Sequence, residues 1–212
     1  MAEMRILSKH LINGFYTVFN PVGDLLENAN IHPHVVTASG FLLSVITAWL
    51  FWKGYMFWGG ITLILAGACD VLDGRLARNT NRTSRFGAVL DSTVDRYSEI
   101  LVFMGLAAFF HSAVMSAIII LAMAGSLLTS YVRARAEGLG LECKIGLMQR
   151  PERVTFIAVG AIIGALIDVI FGTQQPLLKL AIVGIAVLGN ITVIQRVLHV
   201  RGQLKNGVEK EQ

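Results

Sequence analysis

Six apolar runs, each about as long as a bilayer core is thick, constrain this chain more than any other feature. A helix needs about 20 apolar residues to cross the hydrocarbon layer. Inside that layer every backbone polar group must find its partner within the protein, which favours helices over irregular segments. A chain of 212 residues that gives this much of its length to such runs has room for one domain only. Composition agrees: 54% of residues are hydrophobic and 15% charged, against about 25% charged in a soluble domain. The expected fold is an all-α membrane protein, a single domain over residues 1–212.

The runs cover about Thr37–Lys53, Phe57–Ala77, Ala88–Phe110, Ser112–Tyr131, Val154–Phe171 and Leu177–Val197. They predict six transmembrane helices, a core over residues 34–200 and a tail over 201–212. Thr37 is the expected cap of the first span, and Pro151 suits the opening turn of the fifth. Ahead of them, Ile6, Leu7, Ile12, Phe15, Val18, Phe19, Leu25 and Leu26 recur at roughly helical spacing. That pattern predicts an N-terminal amphipathic helix lying in the interface over residues 1–30, broken by Pro21 and Gly23. Gly160 and Gly164 form a small-xxx-small pair expected at a close helix crossing. Cys69 and Cys143 are poor disulfide partners, one in a span and one in a loop expected in the reducing cytoplasm.

Charge placement orients the spans. Of the 18 basic residues, 15 lie in the N-terminal segment (Arg5, Lys9), at or between the facing ends of spans two and three (Arg75, Arg78, Arg82, Arg85) and of spans four and five (Arg133, Arg135, Lys144, Arg150, Arg153), or from the end of span six into the tail (Arg196, Arg201, Lys205, Lys210). Only Lys53 and Lys179 remain for the other side, with Arg96 inside a span. The positive-inside rule therefore predicts cytoplasmic termini and a cytoplasmic site.

Four carboxylates sit where a bilayer makes charge costly: Asp70 and Asp73 near the end of the second span, Asp91 and Asp95 near the start of the third. An ionised Asp at mid-membrane costs about 2.5–3.5 kcal/mol even on insertion scales. Spacings of three and four residues put each pair on one helix face. A short turn between the spans predicts an antiparallel hairpin in which the pairs face each other. Gly74, Ala77 and Gly87 continue the same faces and leave room for a ligand. Hard cations with oxygen ligands compensate such a cluster, and two Mg²⁺ or Mn²⁺ ions are the usual device on phosphates. The competing account pairs the carboxylates with Arg75, Arg78, Arg82, Arg85 and Arg96 and gives them no chemistry.

Asp70-Val-Leu-Asp73-Gly74-Arg-Leu-Ala77-Arg78, eight residues, then Gly87-x-x-x-Asp91-x-x-x-Asp95 resembles the CDP-alcohol phosphotransferase signature at every fixed position. The resemblance extends to the six-span layout. It implies an enzyme with Asp70, Asp73 and Asp91 as ligands of two metals, and with Asp95 beside them as the base that deprotonates the acceptor hydroxyl. It further implies that Asp70, Gly74, Ala77, Arg78 and Gly87 bind the CDP donor, and that the protein is a homodimer in the bilayer. Arg133, Arg135 and Arg153 resemble the branch that makes phosphatidylinositol phosphate from CDP-diacylglycerol and inositol phosphate, where basic residues here hold the acceptor phosphate. Arg153 opens a helix, where the dipole disfavours a cation, so a bound anion would justify it. The Lys-x-Lys-Thr stretch of glycerophosphate-using relatives is absent, and His32-Pro33-His34 stands where relatives commonly carry Pro-Asn. The alternatives are a phosphatidylglycerophosphate synthase, an enzyme joining CDP-inositol to inositol phosphate, and an ion or proton transporter. Nucleic acid is not an expected partner.

Overall fold

The computed structural model describes residues 9–208, and its regular structure is entirely helical. Seven helices run among the described residues: α1 (Lys9–Asn28), α2 (Pro33–Trp52), α3 (Met56–Asn79), α4 (Arg85–Phe110), α5 (Ala113–Glu137), α6 (Arg150–Phe171) and α7 (Pro176–Val208). The first residues of the predicted interfacial helix and the end of the predicted tail lie outside the described residues.

Five helices, α2, α3, α5, α6 and α7, are long and apolar enough to cross a membrane. α4 is longer than most, at 26 residues. It carries Arg85, Asp91, Asp95, Arg96 and Glu99, so the charge that lowers its hydropathy is the charge of the candidate site. Outward-facing side chains such as Leu42, Met104, Ile120 and Leu180 are each more than half exposed. A surface of that kind suits lipid as its solvent.

The helices outrun their predicted limits at the end bearing the basic residues. α2 starts at Pro33 and not at Thr37, with His32 as N-cap accepting from the His34 amide at 3.3 Å. Proline belongs at the first helical position, where its missing N–H is not needed. α6 starts at Arg150, and α7 continues through the predicted core–tail boundary to Val208. Hydropathy stops where charge begins, but backbone hydrogen bonding does not.

α1 is likewise continuous through Pro21 and Gly23. Gly23 is a close-approach residue instead of a breaker: a Cβ there would lie 2.8 Å from Arg75 Nη1 and 3.3 Å from Leu72 Cδ2. Arg75 fastens α1 to α3 through the Asp24 carboxylate, Glu27 at 3.1 Å and the Asn20 side chain at 2.8 Å. A small apolar cluster of Val36, Leu72 and Leu76, with Phe19 and Leu26 against it, lies under this clasp.

The main core joins the two halves of the bundle. Phe51, Leu63, Phe103 and Leu106 from α2–α4 meet Ile157, Ile182 and Ile185 from α6 and α7. α2 packs against both α3 and α4, and α3 packs across to α6. The predicted face-to-face hairpin is thus opened out: the main neighbours of α4 are α2 and α5, and the gap between α3 and α4 holds the carboxylates. Facing carboxylates repel and need space for a cation, which apolar helices in contact would not leave.

Small residues set the crossings. Gly160 lies against α7, where a Cβ would be 3.1 Å from Ala181 Cβ and 3.2 Å from Leu178 Cα. At Gly105 a Cβ would be 2.3 Å from Ala48 O and 2.8 Å from Ala48 Cα, and backbone cannot step aside as a side chain can. Gly105→Ala is therefore expected to destabilise the α2–α4 crossing by about 1–3 kcal/mol. Thermal unfolding in detergent reads this as a lowered midpoint, with Gly184→Ala, where no atom lies within 4 Å, as the unaffected control. An unchanged midpoint for Gly105→Ala would contradict the packing.

Candidate active site

The site is assembled from the basic ends of α2, α3, α4 and α6. Asp70 and Asp73 come from the last turns of α3, Asp91 and Asp95 from the first turns of α4. Ser84 caps α4, accepting from the Gly87 amide at 2.9 Å, and so fixes where the first α4 carboxylate points. Ligand atoms of Asp70, Asp91 and Asp95 lie within 4.8 Å of one another. Asp73 lines the same cavity but stands outside that trio. Its Oδ2 accepts from Thr37 Oγ1 at 2.6 Å. Thr37, expected only as a cap, is thus the residue that aims Asp73.

Two observations bear on whether these residues fit a metal. Asp91 Oδ1 is buried with no hydrogen-bond partner, and a buried acceptor left unpaired costs about 1–3 kcal/mol. The donor set is all carboxylate oxygen, which suits a hard divalent ion. The residues present fit such an ion.

Arg150, counted in the sequence only as a basic loop residue, enters this cluster from α6. Its Nη1 lies 2.6 Å from Asp70 Oδ1 and 2.7 Å from Asp95 Oδ2. One guanidinium nitrogen therefore joins a carboxylate of α3 to one of α4.

Two cavities open on either side. A smaller one, about 180 Å³, is lined by Asp73, Gly74, Ala77, Arg78, Gly87 and Asp91, together with His34. The sequence-predicted donor residues gather here, except Asp70, which faces the inner cavity. His34, from the stretch that departs from the Pro-Asn of relatives, is part of this wall.

The larger cavity, about 580 Å³, is lined by Asp91, Asp95 and five arginines, Arg96, Arg133, Arg150, Arg153 and Arg196. Its volume is that of an ordinary small-molecule pocket. Arg133 is exposed and pairs with Glu137 at 2.8 Å. Arg135 is exposed and lies outside this lining. Two residues further along an α-helix is a turn of roughly 200°, so Arg133 and Arg135 cannot share a face.

Arg153 is 2% exposed, with Nε 2.7 Å from Glu99 Oε1 and Nη1 donating to Met148 O at 3.2 Å. Glu99 also accepts from Ser126 Oγ at 2.5 Å. The anion that justifies a cation at this helix N-terminus is thus already a carboxylate of α4. Glu99 was legible only as one more charge in a span.

Arg196 is 3% exposed and donates to Thr129 O at 2.5 Å and to Ile145 O at 2.8 Å. It has carbonyl partners and no carboxylate among them, and its place at the end of the sixth apolar run gives no sign of them. With Thr192 Oγ1, which accepts from the Met148 amide at 3.0 Å, it stitches the α5–α6 loop to α7. Cys143 in that loop and Cys69 on α3 are both free thiols.

With this geometry in hand, the comparisons with known proteins are specific. The CDP-alcohol phosphatidyltransferase profile matches residues 30–194. Archaetidylinositol phosphate synthase of Methanothermobacter thermautotrophicus is 34% identical over 203 residues, covering 94% of this chain and 98% of that protein. Phosphatidylinositol phosphate synthase of Mycobacteroides abscessus is 41% identical over 192 residues, covering 88% and 85%. Among solved structures, Mycobacterium tuberculosis phosphatidylinositol phosphate synthase with CDP-DAG bound superposes with a TM-score of 0.76 at 34% identity, covering 87% and 94%. The same enzyme in complex with manganese and citrate gives 0.74 at 35% identity, covering 85% and 87%.

Proposed function

This chain belongs to the CDP-alcohol phosphatidyltransferase family, and from that premise we propose that it moves a phosphatidyl group from CDP-diacylglycerol to a hydroxyl of inositol phosphate, releasing CMP. The observation that carries the reading is the position of Asp91, which lines both the glycine-walled cavity and the arginine-walled one. A donor phosphate and an acceptor would meet at that shared wall, beside Asp95.

Gly74, Ala77 and Gly87 admit the nucleotide close to backbone, and Arg78 faces its phosphates. Arg133, Arg153 and Arg196 grip the acceptor phosphate; guanidinium forks suit a phosphate dianion. Two Mg²⁺ or Mn²⁺ ions held by Asp70, Asp73 and Asp91 would offset the pyrophosphate charge and stabilise the leaving CMP. Asp95 takes the proton of the acceptor hydroxyl. The acceptor oxygen bonds to phosphorus, and the bond from phosphorus to the CMP oxygen breaks. Thr37 holds Asp73 in register, and Glu99 holds Arg153 in the wall of the larger cavity.

The protein is an integral membrane enzyme, and α4 serves as its sixth span. The basic ends of the helices, with both termini, face the cytoplasm, and a homodimer is carried over from the family resemblance. A phosphatidylglycerophosphate synthase is the second reading, because any phosphoalcohol offers the same anion to the arginines.

The test is to incubate purified protein with CDP-diacylglycerol and a panel of alcohols and phosphoalcohols, then identify the lipid product. Inositol phosphate is the expected acceptor and free inositol is not; a preference for glycerol 3-phosphate would move the assignment to the second reading. In the same assay Asp95→Asn is expected to lose turnover by about 10²-fold or more, the scale of a positioned base, while still binding the CDP donor. Loss of donor binding would make Asp95 a ligand instead.

A further inference from the structure

We propose that Arg150 is an exchangeable counter-cation: it holds Asp70 and Asp95 while no divalent ion is bound, releases both when one binds, and turns to the arginine-lined cavity. The proposal rests on the metal reading of the cluster given above.

Arg150 is the first residue of α6, where the helix dipole disfavours a cation. What holds it is the carboxylate pair, at 2.6 and 2.7 Å from one nitrogen. Asp70 and Asp95 are two of the three residues whose ligand atoms lie within 4.8 Å of one another. Guanidinium and metal therefore compete for Asp70, and Asp95, released with it, is freed to act as the base. The third, Asp91, is left with a buried and unpartnered Oδ1. The guanidinium reaches Asp70 and leaves Asp91 unpaired, whereas a divalent ion with six or more oxygen ligands has a place for both.

The contrast with Arg153, one helical turn on, makes the point. Arg153 is 2% exposed and pairs with Glu99, which lies outside the trio, so nothing displaces it. Arg150 is 29% exposed, and its side chain already borders the larger cavity, so a displaced guanidinium has somewhere to go. There it would join Arg133, Arg153 and Arg196 and strengthen binding of a phosphate-bearing acceptor. Metal and acceptor anion then favour each other's binding, and that coupling is reciprocal.

The experiment measures Mn²⁺ binding by calorimetry to the purified, metal-stripped full chain, wild type against Arg150→Gln and Arg150→Lys. Arg150→Gln removes the competitor and is expected to bind Mn²⁺ about tenfold tighter or more, the scale of one lost charge-assisted bond. Its thermal midpoint should rise more on adding Mn²⁺ than that of wild type, because stabilisation follows affinity. Arg150→Lys keeps the charge but loses the fork, so it should bind Mn²⁺ tighter than wild type by a smaller factor; it decides the matter should Arg150→Gln not fold. A merely structural arginine gives the opposite sign, since its loss would loosen the cluster and weaken Mn²⁺ binding. Equal or weaker binding by the variants overturns the role of Arg150 alone. A wild-type protein that binds no Mn²⁺ overturns the metal reading beneath it as well.

Discussion

Stripping divalent metal from the purified protein will abolish CMP release, and Mg²⁺ or Mn²⁺ will restore it. Asp70→Asn, Asp73→Asn and Asp91→Asn will each lower turnover by about 10²–10³-fold or more, the scale on which a single preorganised charge-stabilising group acts. The structure adds a discriminating detail for Asp91. Its Oδ1 is buried without a partner, so in metal-free protein the carboxylate is a burden. Asp91→Asn is expected to raise the thermal midpoint of the metal-free protein by the equivalent of about 1 kcal/mol while destroying Mn²⁺ binding. Stability lost in both states would mean that Asp91 is a structural group, and turnover in metal-free buffer would end the metal reading altogether.

The second large effect lies at the Glu99–Arg153 pair. Removing one partner of a buried ion pair costs about 3–5 kcal/mol, because the other charge is left uncompensated. Glu99→Ala should therefore destabilise more than Glu99→Gln, which keeps a hydrogen-bond partner for a guanidinium that is 2% exposed. Arg153→Ala should raise the acceptor KM by about 10–150-fold, the worth of one charge-assisted bond to phosphate, with the CDP-donor KM unchanged. Glu99→Gln should preserve acceptor use, since it leaves Arg153 in place with less competition for its charge. If Arg153→Ala and Glu99→Gln impair the acceptor step equally, the pair only holds α4 to α6 and the phosphate role of Arg153 falls.

The sequence alone determined the class of fold and the chemistry. Runs of about 20 apolar residues admit only helices in lipid, and four Asp residues at spacings of three and four state an acidic, metal-ready face before any coordinate is known. These features are local, and local features survive in a linear reading. The helix ends did not. Hydropathy closed the spans at Ala77, Tyr131 and Val197, where the helices run to Asn79, Glu137 and Val208. The extra turns carry Arg78, Arg133 and Arg201, because a helix continues as long as its backbone bonds do, whatever its side chains prefer as solvent.

Tertiary structure alone decided which charges meet. Arg150 and Arg153 stand three residues apart in one basic segment, yet one joins Asp70 and Asp95 while the other is sealed against Glu99. Arg133 and Arg135 read as a pair, yet helical geometry turns only the first toward the cavity. Arg196, 43 residues beyond Arg153 in the chain, reaches the same cavity because α7 packs back against α5 and α6. Pairing across helices depends on crossing geometry, on which rows of small residues such as Gly105 and Gly160 let backbones approach. That information is distributed over the whole bundle, and no single stretch of the chain holds it.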